Sequence, residues 1–143
     1  TRGEWLTCYR EMVENDYVSC IGLSKIAIPR CWNDVTGDKL IAASRTACVL
    51  ELKQMNALLK PCHLLGMGEH DEFDFYLNNN IPNIRSSDSC YTILAAINGI
   101  DFTTGDITRI PTTNDYFHVT LTDEQQRLAK SNIEYLKYKY AQV

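Results

Sequence analysis

Residues 61–68 read Pro61-Cys-His-Leu-Leu-Gly-Met-Gly68, and this stretch decides the fold of the 143-residue chain. It is a compact apolar run closed by two glycines, which is typical of a buried strand that ends in a tight turn. Two other short runs have a similar form: Tyr17 to Leu23, with Gly22 near its end, and the weaker Asn83 to Ser87. The sequence therefore predicts three short strands.

Segments with apolar residues at helical spacing separate and flank these strands. The clearest helix is predicted from Lys39 to Lys60, where Pro61 marks the stop. Further helices are predicted over 3–15, 71–79, 91–98 and a C-terminal segment that opens with a capping box at Thr122 to Gln125. A loop is predicted from Pro29 to Gly37, and a further short strand from Tyr116 to Leu121.

Strands that alternate with helices require parallel pairing with right-handed crossovers. The sequence thus predicts an α/β fold built from parallel βα units. Because ligands bind at the carboxyl ends of such strands, three segments are candidates for a site: Gly22-Leu23-Ser24, Gly66-Met67-Gly68 and Ser87-Asp88-Ser89.

These strand ends combine small residues with one carboxylate. Gly22 and Gly66 would let the backbone approach a ligand closely, because no Cβ intervenes. A planar base could stack there on Leu65 or Met67, and Asp88 would offer a nucleophile, base or ligand. In the alternative interpretation, the glycines only form βα turns and Asp88 caps the following helix. Spacing alone leaves both open.

Composition narrows the class of protein. The net charge of −4 argues against a self-sufficient nucleic-acid binder, because phosphate neutralisation needs a basic surface. No apolar run approaches the length of a membrane span, and no signal peptide opens the chain. The six cysteines lie apart, with no CxxC pair, at Cys8, Cys20, Cys31, Cys48, Cys62 and Cys90. We therefore expect free thiols in a cytoplasmic protein, and no metal site.

Three motifs in order resemble the later barrel strands of tRNA-guanine transglycosylases. They are Tyr17-Val-Ser-Cys-Ile-Gly-Leu-Ser24, His63-Leu-Leu-Gly-Met-Gly68 and Ile84-Arg-Ser-Ser-Asp-Ser89. In that family a Gly-Gly-Leu strand end contacts the base, a Met/Leu-Gly-x-Gly strand end forms part of its pocket, and a strand ending in Phe-Asp-Ser/Cys carries the nucleophile. The resemblance covers residues 3–98 and implies a partial TIM-type (β/α) barrel. On this prediction residues 1–143 form one partial-barrel domain, on which 101–143 packs as a C-terminal extension.

The resemblance also implies roles for individual residues. Asp88 would be the catalytic residue, attacking the ribosyl carbon, displacing guanine and holding the sugar covalently until a 7-deazaguanine base replaces it. The substrate-binding residues that it implies are Gly22 and Leu23, which would line the base site, and Leu65 and Gly66, which would flank the heterocycle. Met67 joins them as a predicted binding residue because a base could stack on it at the strand end. Arg85, close to Asp88 in sequence, is a candidate phosphate contact, although ordinary solvated charge explains it equally well. No cofactor is implied.

The chain departs from the family in two places. It lacks the Cys-x-Cys-x-x-Cys…His zinc site, and Cys90-Tyr-Thr-Ile-Leu-Ala-Ala96 replaces the arginine-bearing segment that grips RNA. Both departures bring it nearer to relatives that insert 7-deazaguanine bases into DNA, some of them phage-borne, so tRNA and DNA both stay open as partners.

The family's acid/base and base-recognition aspartates lie in the first half of the barrel, outside the predicted strands. Three or four strands cannot close a barrel. We therefore expect the isolated chain to be inactive, and a second copy, a partner chain or the rest of a longer protein to complete the fold. The alternative function is a non-catalytic, degenerate half-barrel that serves as an interaction or assembly module.

Overall fold

The computed structural model describes residues 1–32, 38–67, 70–104, 110–111 and 118–140. Its contacts divide the chain into two compact units. Unit 1 comprises Thr1–Met67 and Asp71–Asp88, and unit 2 comprises Gly68–His70 and Ser89–Val143. The division falls directly after Asp88, so the strands belong to unit 1 and the last two helices to unit 2.

The helices and strands alternate as predicted. In chain order they are α1 (Arg2–Glu14), β1 (Ile21–Ser24), α2 (Ala27–Trp32), α3 (Asp38–Gln54), β2 (Cys62–Leu65), α4 (His70–Asn78), β3 (Ile84–Ser87), α5 (Tyr91–Ile97) and α6 (Asp123–Tyr140). The strands are shorter than the apolar runs that predicted them. Tyr17, for example, lies before β1 and is 99% exposed.

Two boundaries differ from the prediction for identifiable reasons. Residues 27–32 form α2, whereas a loop was predicted from Pro29; Pro29 lies in the first turn of the helix, where a missing N–H costs little. The rest of that predicted loop, 33–37, lies outside the described residues. Helix α3 ends at Gln54 and not at Lys60, because Asn56 adopts a left-handed conformation (φ 53°) and Ala57 N–H bonds back to the carbonyl of Leu52.

The three strands form one parallel sheet in the order β1-β2-β3. Gly22 pairs with His63, and His63 pairs with Ser86. The register shifts between Cys62, which pairs with Ile84, and His63, so Arg85 is an extra residue on β3. This arrangement confirms the α/β class with parallel pairing.

The two faces of the sheet differ sharply in burial. Ile21, Leu23, Cys62 and Leu64 are at most 1% exposed and form a core with apolar side chains from α1, α2, α3 and α4. The alternate residues of the strands lie on the other face, which we call the open face, and all are partly or fully exposed: Gly22, Ser24, His63, Leu65 and Ser86. Parallel sheets are normally covered on both sides, so an open face is unusual.

Unit 2 is built on α5 and α6. A core of Tyr91, Leu94, Ala95, Phe102 and Ile110 holds it together. The predicted capping box is confirmed: Gln125 N–H donates to Thr122 Oγ1 at 3.2 Å, and Thr122 N–H donates to Gln125 Oε1 at 3.0 Å. The strand predicted over 116–121 is absent from its described part, 118–121, while 116–117 lie outside the described residues. In the described part of the chain, no helix is both long and apolar enough to cross a membrane.

Candidate functional site

The structure brings together side chains and backbone groups from the ends of the second and third strands. Asp88 Oδ1 accepts a hydrogen bond from Gly66 N–H at 3.0 Å and lies 3.1 Å from His63 Nε2. His63 in turn pairs with Gly22 on β1. Asp88 therefore points back toward the strands that carry the two glycines.

The alternative interpretation of Asp88 as a helix cap is wrong. The N-cap of α5 is Cys90, which makes no side-chain cap bond, and the first N–H of the helix, that of Tyr91, donates to Ser89 Oγ at 3.0 Å and not to Asp88. The Asp88 carboxylate is instead bound to β2 and the turn that follows it. A position that is free of a capping role is available for chemistry.

The environment of Asp88 favours its charged form. The backbone N–H of Gly66 and, after it, the hydrogen bond from His63 hold the pKa of Asp88 below its ordinary value. The side chain is 64% exposed, so the carboxylate is also reachable from solvent. At neutral pH the site thus offers an ionised, accessible oxygen nucleophile.

Gly66 owes its place to a left-handed backbone conformation, with φ +68°. In a regular parallel ladder its N–H would bond the main-chain carbonyl of Asp88. Here the N–H of Met67 donates to that carbonyl at 3.0 Å instead, so the N–H of Gly66 can donate to the Asp88 side chain. An L side chain at position 66 would strain this conformation, which explains the glycine.

Arg45, on α3, binds the backbone carbonyl groups at and next to the Gly66 turn. Its guanidinium donates to the carbonyls of Leu23 (3.0 Å), Leu65 (2.9 Å) and Gly66 (3.0 Å). The remaining donors form a two-pronged ion pair with Glu72, each bond 2.5 Å long. All five guanidinium N–H groups are therefore satisfied, as a fully buried arginine requires.

A second group supports Glu72 in this cluster. Tyr76 donates its hydroxyl to Glu72 Oε1 at 2.8 Å, and burial, followed by the nearby Glu72 charge, raises the pKa of Tyr76. The cluster ties the ends of β1 and β2 to α3 and α4. Asp88 thereby gains a rigid support on the far side of the Gly66 peptide.

The other predicted site residues differ in what they offer. Gly22 is exposed, and a Cβ built on it would lie only 2.9 Å from Leu65 Cδ1, so the Leu65 side chain packs directly against this glycine and a larger residue would displace it. Leu65 is 44% exposed on the open face. The side chains of Leu23 (0% exposed) and Met67 (5% exposed) are buried, so neither presents a surface on which a base could stack.

Arg85 does not lie at a strand end. It is the extra, exposed residue near the start of β3, and the structure shows no ion pair between it and any described residue. Its proximity to Asp88 in sequence therefore does not by itself make it a phosphate contact.

Sequence reasoning missed His63, Ser86 and Arg45. His63 is more typical of a satisfied core residue in a strand, but its position between Cys62 and Leu64 places it on the opposite face from both. That alternation was the available signal. Arg45 gave none, because its partners lie about 20 residues or more away in sequence.

The rest of the described structure offers one depression and no cluster of metal ligands. A shallow depression of about 240 Å³ lies at the amino ends of β2 and β3, at the opposite edge from Asp88, and is lined by Lys53, Asn56, Leu58, Leu59 and 80–83. Within the described ranges, no three potential metal ligands from His, Cys, Asp and Glu lie together. All six cysteines are free thiols, as expected.

Comparisons of the chain with protein-family models, with curated proteins and with solved structures found no match. Function is therefore inferred from the geometry around Asp88 and from the order of the sequence motifs.

Proposed function

We propose that this chain is part of a base-exchanging glycosyltransferase that replaces guanine with a 7-deazaguanine in nucleic acid. Asp88 acts as its covalent nucleophile. The observation that carries the proposal is an ionised, accessible carboxylate at the carboxyl ends of parallel strands, bound to the backbone N–H of Gly66.

In the proposed reaction, a carboxylate oxygen of Asp88 attacks C1′ of the target nucleoside. The C1′–N9 bond breaks, and its electron pair leaves with guanine, which takes up a proton. The 7-deazaguanine then attacks C1′ through N9 and loses a proton, while the ester bond breaks and Asp88 returns as a carboxylate. Protons balance over the two steps, and no cofactor is required. Dividing the exchange in this way lowers each barrier.

The open face supports a planar ligand. The half-exposed side chain of Leu65 packs against Gly22 and offers an apolar surface on this face, and Asp88 hydrogen-bonds to the adjacent Gly66. We propose that the base stacks over Leu65, between Gly22 and Gly66. In this proposal the nucleic acid is tRNA or DNA, and Arg85 remains a candidate contact to its phosphates.

The strand order supports a partial TIM-type barrel. Consecutive parallel strands joined by crossovers of one hand place their helices on a single face, and the helices of unit 1 that pack on the sheet share one core face. In a barrel that face is outside, and the open face becomes the interior. Three strands cannot close, so a second copy, a partner chain or the rest of a longer protein would complete the site. We propose that residues 1–143 alone do not turn over, and that the protein works in the cytoplasm.

Base binding by residues 1–143 tests the proposal. Titrating 7-deazaguanine into the ¹⁵N-labelled chain should shift the amide signals of Gly22 and Gly66, and the D88N variant should weaken the effect. The matched control is D101N, because Asp101 is also a solvent-accessible aspartate, although only partly exposed, that accepts hydrogen bonds, from Thr103. Shifts confined to the depression at 80–83, or no shifts at millimolar base, would refute the proposal.

A second candidate function is the non-catalytic assembly module. The uncovered face of a parallel sheet favours it, because such faces are normally buried. Sedimentation of the chain and of a G22K variant separates the two functions. An assembly that G22K disrupts, together with no binding of 7-deazaguanine, would favour the module.

A further inference from the structure

One row of side chains on the open face connects β3 with β2 and the Gly66 turn. Ser86 Oγ lies 2.8 Å from His63 Nδ1, and His63 Nε2 lies 3.1 Å from Asp88 Oδ1. The contact between Ser86 and His63 follows from the sheet itself, because the two residues are paired in register. The imidazole is therefore held at both nitrogens.

The direction of these hydrogen bonds follows from Asp88. An ionised carboxylate only accepts, so His63 Nε2 must carry the proton that it shares with Asp88. In the neutral imidazole Nδ1 is then an acceptor, and Ser86 must donate its hydroxyl to it. Ser86 and Asp88 thus select the same tautomer of His63 from opposite sides.

Both donors to Asp88 end on the same oxygen. Oδ1 accepts from His63 Nε2 and from Gly66 N–H at 3.0 Å, whereas no other described residue donates to Oδ2. Two donors from different directions fix the rotation of the carboxylate. Oδ1 therefore holds two hydrogen bonds, while Oδ2 accepts none from any other described residue.

We propose that His63 is a positioning residue for Asp88, that Ser86 fixes the tautomer of His63, and that Oδ2 is the oxygen presented to the substrate. This inference rests on the proposed function, because it identifies the residues that hold its nucleophile. An oriented nucleophile reacts faster than a freely rotating one, since less orientation is lost on reaching the transition state. Arg45 supports the same arrangement indirectly, because it binds the carbonyl of Gly66, the residue whose N–H donates to Asp88.

The tautomer is read directly by ¹⁵N NMR of the imidazole. Neutral His63 should be protonated at Nε2 in the unaltered protein, and S86A should allow the other tautomer to appear. Because His63 is 29% exposed on the open face, H63A should leave the fold intact, which tryptophan fluorescence can verify. The conservative H63Q variant, whose amide can still donate, should behave more like the unaltered protein than H63A does.

The second readout is the titration of the Asp88 carboxyl carbon. Removing the His63 donor in H63A should shift its midpoint upward, because one of the hydrogen bonds that favour the charged form is lost. H118A is the matched histidine control and should leave the midpoint unchanged, since His118 is not among the groups that shift the pKa of Asp88. A merely structural role for His63 would not move this titration selectively.

The outcomes distinguish the proposed positioning of Asp88 by His63 and Ser86 from the proposed function. Equal populations of the two neutral tautomers of His63, or an unchanged titration midpoint of Asp88 in H63A, would overturn the positioning role of His63, even if 7-deazaguanine binds at Gly22 and Gly66. If His63 shows the expected tautomer and H63A raises the midpoint of Asp88, but 7-deazaguanine does not bind, the positioning role is supported and the proposed function is refuted.

Discussion

Replacing Arg45 with methionine should strongly destabilise unit 1. The guanidinium is fully buried, and its partner Glu72 is 3% exposed. Removing one member of a buried ion pair leaves an uncompensated charge and typically costs about 3–5 kcal/mol. The carbonyls of Leu23, Leu65 and Gly66 also lose a donor, so we expect a loss toward the upper end of that range.

Urea unfolding followed by tryptophan fluorescence measures this loss. The only two tryptophans, Trp5 and Trp32, both lie in unit 1 with ring centroids 5.0 Å apart. With a typical urea dependence for a protein of this size, a loss of about 4 kcal/mol moves the midpoint by about 2 M. A smaller effect is expected from R2M, the control, because the Arg2–Glu51 ion pair is half exposed.

A double variant separates the charge from the packing. R45M with E72M removes both charges, so it should be more stable than R45M alone, although the three carbonyls still lack a donor. A midpoint for R45M equal to that of R2M would contradict this account of Arg45. A double variant no more stable than R45M alone would show that the Glu72 charge is not the source of the loss.

Three further changes test other parts of the structure. G66A should cost about 1–2 kcal/mol in urea unfolding, because its left-handed backbone and not its space is limiting: a Cβ would meet nothing closer than 3.8 Å. N132A should lower the thermal midpoint of unit 2, since buried Asn132 bonds Phe102 N–H at 2.9 Å and the carbonyl of Ile100 at 3.0 Å; an unchanged midpoint would show that water replaces it. Thiol labelling at pH 8 should modify exposed Cys20 well before Cys62, because burial raises the pKa of Cys62 to about 11, and equal rates would mean that the core around the central strand β2 opens readily.

The candidate site was only partly accessible from the sequence. The motif order and the strand-end rule predicted that Gly22, Gly66 and Asp88 would lie close together, because parallel strands end at one edge. The residues that hold Asp88 could not be predicted in the same way. His63 and Ser86 meet only because a register shift at Arg85 aligns them, and register is not encoded in periodicity.

Burial also changed the list of ligand-binding candidates. Leu23 and Met67 share strand ends with the glycines, yet both side chains are buried. A residue's place near a strand end does not determine which way its side chain points, which depends on the pleat and on what packs against each face.

By itself, the sequence determined the class of fold and the alternation of helices and strands, and it predicted that Asp88 follows a strand at the carboxyl end of the sheet. These follow from local periodicity and from the few ways in which parallel strands connect. The tertiary structure alone decided that Arg45 would grip three carbonyls and Glu72, and that Asp88 would bind Gly66 and His63 and not cap a helix. Such contacts join residues about 20 or more positions apart, so they depend on how whole elements pack and leave no mark in a local pattern.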